Sequence, residues 1–280
     1  MLTGVHILLT YRCTHECDHC FVHSSPRARG TFGRSGIREV LAQATQVGTV
    51  EWIYFEGGEP FLYYPLLLEG LAVAKASGFL TGVVTNAYFA ESDEDALLWL
   101  EPLADLGVAD LAISDDRFHH DGPGESPAAR ALAAAKRLRI PVGTISVQGE
   151  SVRYRGRAAD QLVEGLPLRP AEEFRECPDE DLADPGRVHI DAYGNVHLCQ
   201  GVLMGNIKQT PLATLLAEWD PPADPISGPV LSGGPAALAR VYGCGEERKY
   251  ASACHLCYEV RKQLLNRYPG SLGPPSVYGQ

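Results

Sequence analysis

Short apolar runs alternate with helix-length stretches through the first half of the chain. Residues 5–10 are apolar and end at a cysteine-rich loop, and residues 35–47 carry a helical period. Residues 52–55 are apolar again and run into Glu56-Gly57-Gly58-Glu59-Pro60, where two consecutive glycines predict a turn. A helix over 66–77 stops at Gly78, and a strand over 80–85 (Thr85 its last residue) is followed by polar Asn86. A further helix over 93–106 stops at Gly107. Residues 111–114 predict a fourth strand ending at Asp115 and Asp116, the alanine-rich stretch 127–138 a helix, and 141–147 a fifth strand. Alternating strands and helices predict a parallel sheet, because a parallel crossover needs a connection long enough to hold a helix. The polar residues of interest all follow strands, at the end of such sheets where chemistry is done. A sixth repeat has only 150–165 to occupy, with Arg155-Gly156-Arg157-Ala158 inside it, so it is compressed or partly absent.

The texture changes near Leu166. Pro167, Pro170, Pro178 and Pro185 interrupt any long helix. Residues 188–190 and 196–198 flank Asp191-Ala192-Tyr193-Gly194-Asn195, a hairpin signal. A short helix over 211–219, a Pro/Gly-rich loop over 221–235, a helix over 258–268 and a tail of a dozen residues complete the pattern. The expected organisation is α/β: a parallel-stranded domain over 1–165, then a small cysteine-rich α+β domain over 166–280.

The chain has 280 residues and 45% hydrophobic content, enough for a packed core. With 24 basic against 35 acidic residues its net charge is −11. That lacks the basic footprint of a nucleic-acid surface and favours a small or peptidic substrate. No run approaches the roughly twenty apolar residues of a membrane span. No charged-then-apolar leader precedes the first strand, so the expected location is the cytoplasm. Eight cysteines in tight clusters then fit metal ligation in a reducing compartment better than disulfides.

The first cluster places Cys13, Cys17 and Cys20 within eight residues. Three thiolates so spaced can wrap a loop around one metal site, and a four-iron cubane would keep one iron free of protein ligands. Thiolates suit iron–sulfur clusters and zinc alike. A zinc site completed by His15, His19 or His23 is the alternative. The C-x3-C-x2-C pattern after the first strand resembles the signature of the radical S-adenosylmethionine (radical SAM) superfamily. Gly57-Gly58-Glu59-Pro60 after the second strand resembles that family's Gly-Gly-Glu-Pro motif, in the family's order. The position before the third cysteine, often aromatic in the family, is His19 here.

The resemblance implies a partial (β/α)6 barrel of the TIM type. It implies a [4Fe-4S] cluster on Cys13, Cys17 and Cys20, with S-adenosylmethionine chelating its open iron. An electron from flavodoxin or ferredoxin would cleave that cofactor, and the 5′-deoxyadenosyl radical would take a hydrogen from substrate. It implies Gly57 and Gly58 beside the methionine part and Glu59 on its amine. Asn86, with Thr85, would make cofactor contacts, and Ser114 and Asp116 would lie near the ribose. Arg117, His119 and His120 follow as candidates to face substrate or exchange protons, since histidine titrates near neutrality.

Cys177, Cys199, Cys254 and Cys257 resemble the superfamily's auxiliary-cluster region, called SPASM when full and twitch when short. No cysteine follows Cys257, so the short form with one auxiliary [4Fe-4S] cluster is implied. Cys244 is a rival ligand, and structural zinc or inert buried thiols are the alternatives. Two reactions compete. Two-electron oxidation of a small alcohol or sugar-like molecule is slightly favoured, because no peptide-binding domain precedes the first strand. Peptide modification by crosslinking, thioether formation or epimerisation is the other. A non-enzymatic iron–sulfur or zinc protein is the alternative of another class. The Gly-Gly-Glu-Pro turn argues against it, since an electron carrier needs no cofactor pocket.

Overall fold

The computed structural model describes residues 1–120, 125–147 and 151–280. The first half forms the elements the pattern predicts. They run β1 (Gly4–Thr10), α1 (Arg34–Val47), β2 (Trp52–Gly57), α2 (Tyr64–Ala76), β3 (Leu80–Thr85), α3 (Asp93–Leu106), β4 (Asp110–Ser114), α4 (Pro127–Arg137) and β5 (Val142–Ile145). Local chemistry sets their ends. The Ser92 hydroxyl accepts from the Asp95 amide at the start of α3, and Asp93, Glu94 and Asp95 follow in the first turn, where negative charge meets the helix's positive end. Ser126 caps α4 in the same way, with Pro127 next to it.

β1 to β5 are parallel neighbours. After β5 the described residues up to 165 hold only a short helix, α5 (Arg157–Gln161), and no strand. The remaining strands are β6 (Arg169–Pro170), β7 (Arg187–Asp191), β8 (Asn195–Cys199), β9 (Val202–Asn206) and β10 (Lys249–Tyr250). The sixth parallel strand of the sheet is β7, on the opposite side of β1, with which it pairs from Gly4↔Arg187 to Leu8↔Asp191. β8 and β9 add antiparallel, giving the order β5-β4-β3-β2-β1-β7-β8-β9. The sheet therefore runs unbroken across residue 166. β1 has partners on both sides, and its Val5, Ile7, Leu8 and Leu9 are fully buried. Each such side chain contributes about 1.5–3 kcal/mol.

The second half departs from the pattern in four places. Residues 221–235 are not all loop: α7 (Ser227–Tyr242) occupies the end of that stretch, broken at Gly233 and Gly234 into two helical pieces. Pro229 and Pro235 fall in the first turn of each piece, where a missing N–H costs no hydrogen bond. The last helix, α8 (Ala253–Leu264), begins at Ala253 rather than 258, because Ser252 caps it by accepting from the His255 amide. β9 is an extra strand, and α6 (Leu212–Glu218) follows it. The C-terminal residues are not a loose tail. Val277 and Tyr278 are fully buried, and the Tyr278 hydroxyl donates to the Gly201 carbonyl at 2.8 Å. No described helix is long and apolar enough to cross a membrane.

Candidate active site

The loop after β1 carries Cys13, Cys17 and Cys20 to the C-terminal end of the parallel strands. Its shape is held from outside. Arg157, at the start of α5, donates to the Cys17 carbonyl and the Ser24 carbonyl, both at 2.7 Å, and its amide donates to the Cys20 carbonyl at 2.9 Å. Backbone amides also point at sulfur: His15 N lies 3.4 Å from Cys13 Sγ and Ser24 N 3.2 Å from Cys20 Sγ. Burial pushes the Cys13 thiol up to about 11 and the Cys17 thiol up to about 12, and for Cys17 the neighbouring cysteines push further. Thiols that repel one another's charge in this way suit a cation that neutralises them together.

The three cysteines line a chamber of about 200 Å³ with Gly57, Gly58 and Asn86. A larger groove of about 520 Å³ lies elsewhere, along Tyr193, Leu265 and Pro274, and is lined by no cysteine, histidine or carboxylate. The glycines of the turn are explained first by the chain itself. A methyl at Gly58 would stand 2.1 Å from the Arg12 carbonyl oxygen, and one at Gly57 2.4 Å from the Thr10 carbonyl oxygen. The Gly58 and Glu59 amides donate to those same two carbonyls. The turn is thereby bolted to the base of the cysteine loop.

Glu59 does not face the chamber as the resemblance implies. It is fully buried, and its carboxylate accepts from the Thr85 hydroxyl (2.8 Å), the Asn86 amide (2.7 Å) and the Phe61 amide (3.0 Å). Burial pushes its carboxyl up to about 7 against the pull of those donors. Its place is a tie between the turn and the end of β3. Asn86 does reach the chamber: its Nδ2 lies 3.0 Å from Thr14 Oγ1 and 3.5 Å from Cys13 Sγ. Thr85 and Ser114 also line it.

Asp116 is likewise turned away from the expected ribose contact. Its side chain is 1% exposed and accepts from His119 Nδ1 (2.8 Å), the Phe118 amide (3.0 Å) and the Val147 amide (3.2 Å). Burial opposes its charge, but His119 and these donors hold its carboxyl below the usual range. His119 lines the chamber, edge-on to His19 and to His15. Arg117 lies over the Phe118 ring instead, and neither it nor His120 lines the chamber. His23 turns toward α8, 3.0 Å from the Tyr258 hydroxyl.

Sequence reasoning missed a polar group in the barrel interior. His6 Nδ1 and His189 Nε2 lie 2.9 and 3.0 Å from the same oxygen of Glu56, which lines the chamber. Burial raises the Glu56 carboxyl, yet the two histidines together hold it well below the usual range. The signal in sequence was slight: His6 is one polar residue inside an apolar strand.

The second cysteine group forms where β8, α8 and the loop after β6 meet. Cys254 and Cys257 both lie in α8, three residues apart on one face, Cys199 ends β8, and Cys177 joins from the loop. Burial pushes the Cys257 thiol up to about 11, with Cys199 and Cys177 close enough to push further. Cys254 is raised by burial and by Asp179 and Cys199. The Cys244 Sγ donates to the Tyr242 carbonyl at 3.4 Å. All eight cysteines are free thiols. Among the described residues no three cysteine sulfurs lie within 4.8 Å of one another. Thiolates sharing one zinc ion would stand about 3.8 Å apart, so both groups are spread more widely than a single ion needs.

The sequence profile of the radical SAM superfamily matches residues 7–160. The chain belongs to the radical SAM superfamily. Its membership implies a [4Fe-4S] cluster, S-adenosylmethionine and an enzymatic role. A Bacillus subtilis (strain 168) protein named "Putative peptide biosynthesis protein YydG" is 31% identical over 115 residues. That match covers 41% of this radical SAM chain and 36% of the relative, so the chain spans about a third of that protein's length. The crystal structure of BtrN in complex with AdoMet and 2-DOIA superposes with a TM-score of 0.56 at 16% identity, covering 77% of this chain and 82% of that one. It shares the fold. Streptococcus suis SuiB bound to precursor peptide SuiA gives a TM-score of 0.43 at 12% identity over 85% and 70% of the two chains.

Proposed function

We propose that this radical SAM enzyme modifies a peptide, and that Cys13, Cys17 and Cys20 are the ligands of its catalytic [4Fe-4S] cluster. When bound, the cluster and S-adenosylmethionine supply a one-electron cleavage that yields the 5′-deoxyadenosyl radical for hydrogen abstraction. The chain's own residues do the rest. Arg157 and the amides of His15 and Ser24 fix the cysteine loop and its sulfurs. Gly57, Gly58, Asn86 and Ser114 form the cofactor-facing wall. Glu59 and Asp116 hold that wall from behind. Cys177, Cys199, Cys254 and Cys257 are the proposed ligands of an auxiliary cluster in residues 166–280, with Cys244 left out. Flavodoxin or ferredoxin is the proposed electron donor.

The observation that carries the peptide reading is the 31% identity to the Bacillus subtilis protein. It outweighs the expectation of small-molecule oxidation. That expectation keeps only the shared BtrN fold in its favour, and a fold hosts many substrates.

The test uses anaerobically reconstituted protein. Iron and sulfide are counted, then dithionite and S-adenosylmethionine are added and 5′-deoxyadenosine is measured. About eight irons per chain with release is expected, since each cubane holds four. Replacing Cys13, Cys17 or Cys20 by Ala abolishes release. Zinc without iron, and no release, would sink the reading. The substrate class is read by adding a peptide fraction before and after protease digestion. Stimulated turnover that digestion removes supports a peptide, and stimulation that survives digestion returns the reading to a small molecule.

A further inference from the structure

Two guanidinium groups are buried against the second cysteine group: Arg261 has no carboxylate partner among the described residues, and Arg155 has only a long contact to Glu180. Arg261 is 1% exposed. Its Nε donates to the Cys257 carbonyl at 3.2 Å and its Nη1 to the Gln200 carbonyl at 3.0 Å. The guanidinium carbon stands 6.0 Å from the Tyr258 ring centre and 5.8 Å from that of Tyr278. Among the described residues no carboxylate comes within ion-pair distance of it. Arg155 points its Nη1 at Cys199 Sγ, 3.0 Å away, and its Nε is buried without a hydrogen-bond partner. Its nearest carboxylate, Glu180, is 3.8 Å off and is shared with Arg187. The other side of the Arg155 guanidinium faces the ring of Phe21, which lines the chamber.

Burying a cation without a counter-charge costs several kcal/mol. Arg261 has none, and Arg155 has only Glu180, 3.8 Å away and shared with Arg187, so the pair leaves positive charge for an anion between them. Four thiolates around a [4Fe-4S] unit carry net negative charge and become more negative on reduction. Two acidic groups oppose this arrangement: Glu180, which also pairs with Arg187 at 3.5 Å, and Asp179. Asp179 lies 2.9 Å from Cys254 Sγ, but it is engaged by Arg153 at 2.6 Å.

We propose that Arg155 and Arg261 form a cationic cradle that raises the reduction potential of the site made by Cys177, Cys199, Cys254 and Cys257. The proposal rests on the reading of those four cysteines as cluster ligands. Positive charge and N–H donors directed at sulfur stabilise the reduced form, because that form carries the extra negative charge. Arg155 is a positioning and tuning residue, and needs no contact with substrate to act.

The experiment is a redox titration followed by electron paramagnetic resonance. It is run on the full reconstituted chain and on a variant with Cys13, Cys17 and Cys20 replaced by Ala, which leaves the second site alone. About four irons in that variant establish the site, and iron-free protein overturns both the cluster reading and the cradle. With four irons present, Arg155→Gln is expected to shift the midpoint to more negative potential. Arg155→Lys, which keeps the charge and gives up the planar donor, is expected to shift it less. A midpoint equal to that of the unsubstituted protein in both variants overturns the cradle while leaving the cluster standing. Should Arg155→Gln lose its iron, Arg261→Gln is titrated in its place, and a midpoint equal to that of the unsubstituted protein overturns the cradle.

Discussion

An alanine methyl at Gly58 would press on the Arg12 carbonyl oxygen, a backbone atom that cannot swing aside. Gly58→Ala is therefore expected to lower stability by roughly 1–3 kcal/mol through steric overpacking and to abolish 5′-deoxyadenosine release. Denaturant unfolding beside the release assay checks this, and a fully active, equally stable variant would refute it. His23 offers a pH test. Burial, followed by repulsion from Arg157, pushes its imidazole down to about 4 from the usual 6.5. Between pH 6.5 and 4 the unfolded chain binds a proton there that the folded chain refuses, so stability falls as pH falls through that window. His23→Asn, which suits the left-handed backbone at this position (φ 53°), is expected to lose less stability over the same window. Unfolding midpoints for the two proteins at pH 7, 5.5 and 4 measure the difference; curves that run parallel would count against it.

Elements differ in how openly the sequence displays them. The alternation up to β5 was legible because each strand is an apolar run closed by polar or turn-forming residues, and two of the helices stop at a glycine, Gly78 and Gly107. The cysteine loop and the Gly-Gly turn were legible because rare residues sit at fixed spacing. α7 was hidden because proline and glycine in one stretch read as loop. Their positions matter more than their number: the prolines start helical pieces and the glycines make the break. Gly234 takes φ 68°, and an added methyl there would stand 2.2 Å from the Arg175 carbonyl carbon. Gly243→Ala, with open space at its Cβ, is expected to suffer only the φ penalty of about 1–3 kcal/mol, whereas Gly234→Ala adds to that penalty a collision with backbone worth about 1–3 kcal/mol more. Comparing the two thermal midpoints separates collision from strain, and equal losses would refute the collision. The partners of Glu59 and Asp116 were hidden for another reason. Position after a strand places a carboxylate near the chamber, but only packing decides which way it turns. The pairing of His6 with His189 needed a contact between β1 and β7 that no local pattern contains.

Across the whole molecule, the sheet joins what sequence texture divides at residue 166. β1 pairs with β2 on one edge and with β7 on the other. A fragment ending at residue 165 would leave the second edge of β1 open, with His6 and Glu56 stripped of His189. Such an edge is a template for aggregation. Residues 1–165 expressed alone are expected to aggregate or to show weak amide-exchange protection in β1, and a monomeric fragment with native-like protection would refute this.

The same central strand has a consequence for how the chain is made. β1 is synthesised first, yet its partner β7 emerges roughly 180 residues later. At a translation rate of about 5–20 residues per second, that leaves one side of β1 waiting for roughly 10–35 seconds. Such distant pairing folds slowly, because loop closure precedes any reward from contact. The nascent chain thus passes through a period in which its most buried strand is half-covered, and cells that overproduce it should yield more soluble protein when fewer chains are made at once and the temperature is lowered, so that half-covered chains meet less often.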